Sequence, residues 1–303
     1  MKVTIQIPTY NQVKYIRKAV VSCLEMNYED LEINIVDDSS TEDTEHEIKD
    51  LLNDTRVNFY RNKVNLGRVK NYYKSLREYA TGEWVVNLDG DDYFTDCEFI
   101  SRAVKNVLQC PSVVMYHSNF FDLGKIHNRD VEKRISKGLN LIKGSSYIKY
   151  RHRFNHFYHL SALFKRVVAL QCDFYSFDSL NTDSLSLLKL ATLGDVLLEN
   201  REVGVWNINP NSESRQYETE INKEKYRIAE LELLSYLEGF LTKQEMEFYK
   251  KEQSRTKFNI EIYKAAEEKN FSEFFRMIYN EKRFDLNTIK QFTKLFFAKK
   301  SVN

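Results

Sequence analysis

The first third of the chain alternates β-rich stretches with amphipathic ones, and this alternation constrains the fold more than any other feature. KVTIQIP reads as a strand, and NQVKYIRKAVVSCLEM then sets Val13, Ile16, Val20, Cys23 and Leu24 at helical spacing. LEINIV reads as a second strand. STEDTEHEIKDLL opens with Ser and Thr ahead of an acidic first turn, which predicts a helix. RVNFYRN is a third strand, LGRVKNYYKSLREYATG a helix closed by Gly82, and EWVVNL a fourth strand. Strands separated by helices pair in parallel through right-handed crossovers. The expected class is therefore α/β, a mostly parallel, Rossmann-like sheet with helices on both faces. With 9 Gly and 3 Pro in 303 residues, long flexible linkers are not expected.

An open α/β sheet binds ligands beyond the carboxyl ends of its strands. Strand one ends in Pro8, Thr9, Tyr10 and Asn11, strand two in Asp37, Asp38, Ser39 and Ser40, and strand four in Asp89, Gly90, Asp91 and Asp92. All three clusters face one rim. A single Asp after a strand is ordinarily a turn or cap residue, but two acidic clusters on one rim repel each other unless a cation neutralises them. Oxygen ligands of this kind suit Mg²⁺ or Mn²⁺, and such a metal calls for an anionic partner, most simply a diphosphate.

The rest of the composition narrows the partners. Lys+Arg of 45 against Asp+Glu of 44 leaves a net charge of +1, so no global field points to nucleic acid. No apolar run approaches the ~20 residues of a bilayer span, and MKVTIQIPTYN turns polar too early for a secretory leader. The expected location is cytoplasmic, with a peripheral position at the inner face of the membrane left open. Cys23, Cys97, Cys110 and Cys172 lack CxxC spacing and sit among apolar residues, which predicts reduced core cysteines.

Taken together, VTIQIPTYNQVKYIRKAVVSCLEMNYEDLEINIVDDSSTEDT and NKVNLGRVKNYYKSLREYATGEWVVNLDGDD resemble glycosyltransferase family 2, an inverting nucleotide-sugar family with a GT-A fold. The resemblance is close over residues 1–110 and looser to residue 215. It implies a GT-A catalytic domain over residues 1–215, with a nucleotide-sugar half (1–110) and an acceptor half (111–215), followed by a helical C-terminal extension (216–303). It also implies roles for particular residues. Pro8, Thr9 and Tyr10 match the segment along the nucleotide base. Asp37 and Asp38 match the paired acid of the second strand, with Asp38 preferred for the N3 proton of uracil and Asp37 nearer the ribose or structural. Asn65 and Gly67 match the NxG turn, and Lys70, one turn later, is a candidate for a phosphate.

Asp89, Gly90 and Asp91 match the DxD motif, in which Asp89 and Asp91 hold Mn²⁺ or Mg²⁺ against the diphosphate of a UDP-sugar. Asp92 is expected to cap the next helix or to orient Asp91. Inversion requires a carboxylate on the opposite face of the sugar to take the acceptor proton. SFDSLNTDSLSLLKLATLGDVLLENREVGVWNINPNSES resembles that region and puts Asp183 in the place of the base, with Asp178 as the rival. Two departures stand out: Thr182 replaces the Glu often found beside the base, and Asn209 replaces a histidine available to the metal. Ser212, Ser214 and Arg215 remain candidates to close over the diphosphate. His152, His156 and His159, among arginines and aromatic residues, fit an acceptor-side wall, with ordinary packing as the simpler account. HLSALFKR resembles the acceptor-domain strand that leads into a helix.

The function so implied is metal-assisted, single-displacement transfer of a hexosyl or N-acetylhexosaminyl unit from a UDP-sugar to a glycan or lipid-linked acceptor in surface polysaccharide synthesis. The alternative is a catalytically inactive nucleotide-sugar binding module, favoured by the two departures. A receiver-like signalling domain also uses acidic pairs and Mg²⁺, but it places the pair after strand one, where this chain has PTYN. The tail beyond residue 215 reads as packed helices, able to cover the catalytic domain or form a homodimer contact. RFDLNTIKQFTKLFFAKK sets Phe284, Leu286, Ile289, Phe292, Leu295 and Phe296 near helical spacing, with Lys290, Lys294, Lys299 and Lys300 beside them. This pattern leaves open a peripheral contact with an anionic membrane.

Overall fold

The computed structural model describes residues 1–119, 131–153, 159–207, 209, 212, 219–267, 270, 272 and 276. The chain divides into two compact units, Met1–Lys243 and Gln244–Asn303.

The first unit is built on strands β1 (Val3–Thr9), β2 (Leu31–Asp37), β3 (Val57–Arg61) and β4 (Trp84–Asn87), linked by α1 (Val13–Leu24), α2 (Thr44–Glu47) and α3 (Arg68–Lys74). Next come β5 (Tyr93–Phe94), α4 (Phe99–Val107), β6 (Val113–Asn119), β7 (Val131–Ser136), β8 (Leu139–Ile142) and α5 (Gly144–Tyr150). They are followed by β9 (Ala162–Lys165), α6 (Arg166–Gln171), α7 (Thr182–Ala191), β10 (Asp195–Asn200), β11 (Gly204–Val205) and α8 (Glu220–Leu237). Within this unit α8 packs against α7. In the second unit the structure mainly describes α9 (Lys243–Glu267), whose first residue closes the first unit. The lysine-rich segment beyond residue 281 lies outside the described residues.

The described strands form a nine-stranded sheet in the order β3-β2-β1-β4-β9-β6-β10-β8-β7. β1 pairs in parallel with β2 and β4, and β2 with β3, as right-handed crossovers require. β9 runs antiparallel to both β4 and β6, so β6 and its parallel partner β10 point the same way as β4. Strand ends that carry polar clusters thus share one rim. β1 and β2 are buried along their whole length, because helices cover both faces. Val3, Ile5, Ile7, Ile33, Ile35, Val86 and Leu88 anchor the core beneath that rim.

Three local expectations are revised. The helix predicted after β2 is a single turn, capped by the Asp43 side chain on His46 N. Beyond it Arg17 donates to the Glu47 carbonyl and the Asp50 carboxylate, and Ile48 is buried in the core. Gly82 is not a helix cap. The helix widens into a π turn and ends at Tyr79, while a Cβ on Gly82 would lie 2.6 Å from Thr4 N of the neighbouring strand. Finally, Cys23 and Cys172 are buried, but Cys110 is half-buried and Cys97 exposed, and all four are free thiols.

Candidate active site

At the carboxyl rim a groove of about 440 Å³ is lined by Pro8, Thr9, Tyr10, Gln12, Asp38, Asn65, Gly67, Arg68, Tyr72, Asp89, Asp91, Trp206, Asn209 and Ser212. It brings together most of the sequence-predicted donor residues. A smaller recess of about 70 Å³ is lined by Arg68, Asn87, Asp89, Asp92, His159, Leu160, Asp183 and Trp206. Groove and recess share Arg68, Asp89 and Trp206.

Asp37 and Asp38 have separate duties. Asp37 is fully buried and accepts from Ser40 N and Ser40 Oγ, with Arg61 Nε at 3.5 Å, so it holds the turn and does not line the groove. Asp38 accepts from Asn62 Nδ2 (2.8 Å) and Leu66 N (2.9 Å) on Oδ1, and from Gly67 N (2.8 Å) on Oδ2. A carboxylate offers about four acceptor positions, so one on Oδ2 remains for a ligand. Gly67 takes φ +84° with nothing near the place of a Cβ, so glycine is required there by backbone conformation. Lys70 is exposed and lies outside the groove lining.

Among the described residues the cation that lines the groove is Arg68, which sequence reasoning passed over. Its Nε donates to Tyr72 Oη (2.8 Å), its Nη1 to the Leu180 carbonyl (2.6 Å), and its Nη2 lies 3.7 Å from Asp89. Burial lowers the guanidinium pKa, but Tyr72, Asp89 and Asp183 outweigh it and keep Arg68 charged. Tyr72 Oη donates to Asp89 Oδ1 at 2.5 Å, and Asn87 Nδ2 donates to the same oxygen at 2.9 Å. Arg68 and Tyr72 stand four apart on one helix face, and that i, i+4 spacing was the available signal.

Gly90 does not line the groove. A Cβ there would lie 2.6 Å from both Gln12 Oε1 and Thr9 Oγ1, so the glycine lets the acidic turn lie against strand one. Antiparallel pairing of β5 with β11 clasps the later loop onto this turn. It lets Asn207 N donate to Asp92 (2.9 Å) and Asn209 Nδ2 to Asp91 (2.9 Å). Asp92 is therefore not the cap of α4. Asp96 stands at that helix start, accepting from Glu98 N. Burial first, then the charge of Asp89, raises the carboxyl pKa of both Asp91 and Asp92, with Asn209 opposing the shift at Asp91.

Asp183 lies in the first turn of α7, half-buried, with Oδ1 accepting from Ser184 N at 2.7 Å. Thr182 beside it is fully buried. Its rival Asp178 is exposed and paired with Lys225 Nζ at 3.0 Å, away from the recess. His159 lines the recess, whereas His156, Ser214 and Arg215 lie outside the described residues.

Among the described residues no three His, Cys, Asp or Glu side chains gather as a complete metal shell. Asp89 and Asp91 nevertheless fit a shared oxygen-liganded cation. They are two carboxylates on one groove, and burial, then the charge of Asp89, raises the pKa of Asp91.

The mixed, mostly parallel sheet with a groove at its carboxyl rim is the GT-A fold of a solved glycosyltransferase. The S. aureus TarS 1–349 structure superposes with a TM-score of 0.66 at 16% identity, covering 98% of this chain and 81% of that one. The same protein in complex with UDP-GlcNAc gives 0.66 at 16% identity over 98% and 82%. The family described as Glycosyl transferase family 2 matches residues 4–169, and the chain belongs to that family. An uncharacterised glycosyltransferase of Mycoplasma genitalium is 41% identical over 101 residues, 31% of this chain and 34% of the relative. The GalNAc(5)-diNAcBac-PP-undecaprenol beta-1,3-glucosyltransferase of Campylobacter jejuni is 32% identical over 110 residues, 36% of this chain and 34% of the relative. The matched stretch thus spans about a third of each of these relatives.

Proposed function

We propose that this chain is an inverting glycosyltransferase that moves a sugar from a UDP-sugar to a hydroxyl of a glycan or lipid-linked acceptor. The observation that carries the proposal is that the donor groove and the Asp183 recess meet at Arg68, Asp89 and Trp206. A diphosphate seated near Asp89 and Asp91 would leave its sugar at that junction, with Asp183 beyond it. The uracil would lie along Pro8, Thr9 and Tyr10, its N3–H given to the open acceptor position on Asp38 Oδ2. This donor preference is supported by the fold shared with a UDP-GlcNAc complex. A lipid-linked acceptor is supported by the undecaprenol-linked substrate in the name of the Campylobacter relative.

The chemistry is a single displacement. The acceptor oxygen attacks the anomeric carbon, the bond to the diphosphate oxygen breaks with its electron pair, and Asp183 takes the acceptor proton. Asp89 and Asp91 would hold Mn²⁺ or Mg²⁺, which when bound neutralises the negative charge gathering on the departing diphosphate. Arg68, kept charged and tied to the Leu180 carbonyl, adds fixed positive charge at the junction and ties α3 to the segment before α7. Asn209, bonded to Asp91, orients that carboxylate.

A panel of nucleotide sugars assayed for hydrolysis and transfer, with Mn²⁺ and with EDTA, tests the proposal. UDP-sugar turnover that depends on the metal is the expected result. UDP binding without turnover of any donor would instead support an inactive binding module, and equal UDP affinity in Mn²⁺ and EDTA by calorimetry would remove the metal. The place of work belongs to the proposal as well: the cytoplasmic side of a membrane, where lipid-linked acceptors present their sugars. No helix among the described residues is long and apolar enough to cross a membrane.

A further inference from the structure

Asp89 lines both the groove and the recess, and its side chain is 26% exposed. Its two oxygens stand in unlike surroundings. Oδ1 accepts from Tyr72 Oη at 2.5 Å and from Asn87 Nδ2 at 2.9 Å. The neighbours fix the direction of both bonds. A carboxylate only accepts, so Asn87 turns its amide nitrogen to it, and the Asn87 Oδ1 takes Gln6 Nε2 at 3.0 Å. Tyr72 Oη lies between a guanidinium, which only donates, and that carboxylate. It therefore accepts from Arg68 Nε at 2.8 Å and gives its own proton to Asp89. These two donors fill both lone pairs of Oδ1. Oδ2, by contrast, has among the described residues only Arg68 Nη2, at 3.7 Å and beyond hydrogen-bond distance. The phenol itself is held in place. Tyr72 is 2% exposed, and its ring packs against Tyr175 and His159 with centroids at 5.2 and 5.8 Å.

We propose that Tyr72 is a positioning residue of the metal site: with Asn87 it occupies Oδ1 of Asp89 and leaves Oδ2 alone to bind the cation. The inference rests on the proposed Mn²⁺ or Mg²⁺ at Asp89 and Asp91. A carboxylate gripped from behind in this way does not rotate when the cation arrives, so part of the site is formed in advance. Removing such an outer partner costs about 10- to 100-fold in metal affinity.

Tyr72→Phe deletes Oη and keeps the ring. Electron paramagnetic resonance of free Mn²⁺, titrated into protein with UDP present, reads the cation directly. Tyr72→Phe is expected to hold Mn²⁺ about tenfold less tightly than the parent. Its UDP affinity in EDTA, by calorimetry, equals that of the parent. With a UDP-sugar as donor, excess Mn²⁺ restores the parent kcat, because the loss lies in metal affinity. Parent-like Mn²⁺ affinity in Tyr72→Phe, or UDP affinity that falls as much in EDTA as in Mn²⁺, would overturn the proposal and leave the metal reading in place. A parent protein that binds no Mn²⁺ with UDP would remove both. If Tyr72→Phe does not fold, 3-fluorotyrosine at position 72 of the parent decides. Its ¹⁹F signal moves when Mg²⁺ joins the UDP-bound protein, and a signal indifferent to Mg²⁺ refutes the assignment.

Discussion

Replacing Gly90 with alanine tests whether the acidic turn works by lying against strand one. The added Cβ would meet Gln12 Oε1 and Thr9 Oγ1 at 2.6 Å and Thr9 Cβ at 2.8 Å. Gln12 can swing, but Thr9 is buried at the end of β1 and cannot retreat without moving the strand. Overpacking of this kind costs ~1–3 kcal/mol. The Thr9 to Gln12 hydrogen bond of 2.9 Å, worth ~1 kcal/mol, is lost with it. The sum, about 2–4 kcal/mol, corresponds to a Tm lowered by roughly 5–10 °C for a domain of this size. Because Gln12 also bonds Asp91 and lines the groove, UDP affinity should fall by about tenfold, ~1.4 kcal/mol. Thermal unfolding and UDP calorimetry on the variant and parent measure both effects. A Tm within about 1 °C of the parent, with unchanged affinity, would refute the close-approach account of this glycine.

Asp183→Asn keeps an oxygen for Ser184 N but cannot accept a proton. Turnover should fall by ~100-fold or more with UDP-sugar affinity nearly intact, and near-parent turnover would dismiss Asp183 as the base. Asp92→Asn addresses the buried acid behind the groove, whose carboxyl burial and Asp89 push up to about 9. The folded state then holds a proton that the unfolded chain releases near 3.8, so the stability from neutral Asp92 is full below that value and lost as pH rises through the raised one. The amide is neutral throughout and can still accept from Asn207 N. In EDTA its Tm advantage over the parent should therefore grow from pH 5 to pH 8, and a difference independent of pH would count against the shift.

Hydrophobic periodicity and the residues at strand ends made much of this protein legible in one dimension. β1 to β4 stand where alternation put them, and Asp38, Asn65, Gly67, Asp89 and Asp91 meet in one groove because a parallel sheet aligns carboxyl ends on one rim. Asp183 came into view only through the family resemblance, since an acid ahead of an apolar helix reads locally as an ordinary N-cap. Other features depend on contacts between distant segments. Arg68 matters through a carbonyl 112 positions away, and Tyr72 through an acid 17 positions away. Asp92 changed from helix cap to loop clasp when β11 paired with β5. Lys70 and Arg68 lie two residues apart on α3, yet only Arg68 lines the groove. Local sequence sets the period and polarity of each element, whereas the rotation of a helix against the sheet, and the burial that shifts a carboxyl group, arise only when the segments pack together.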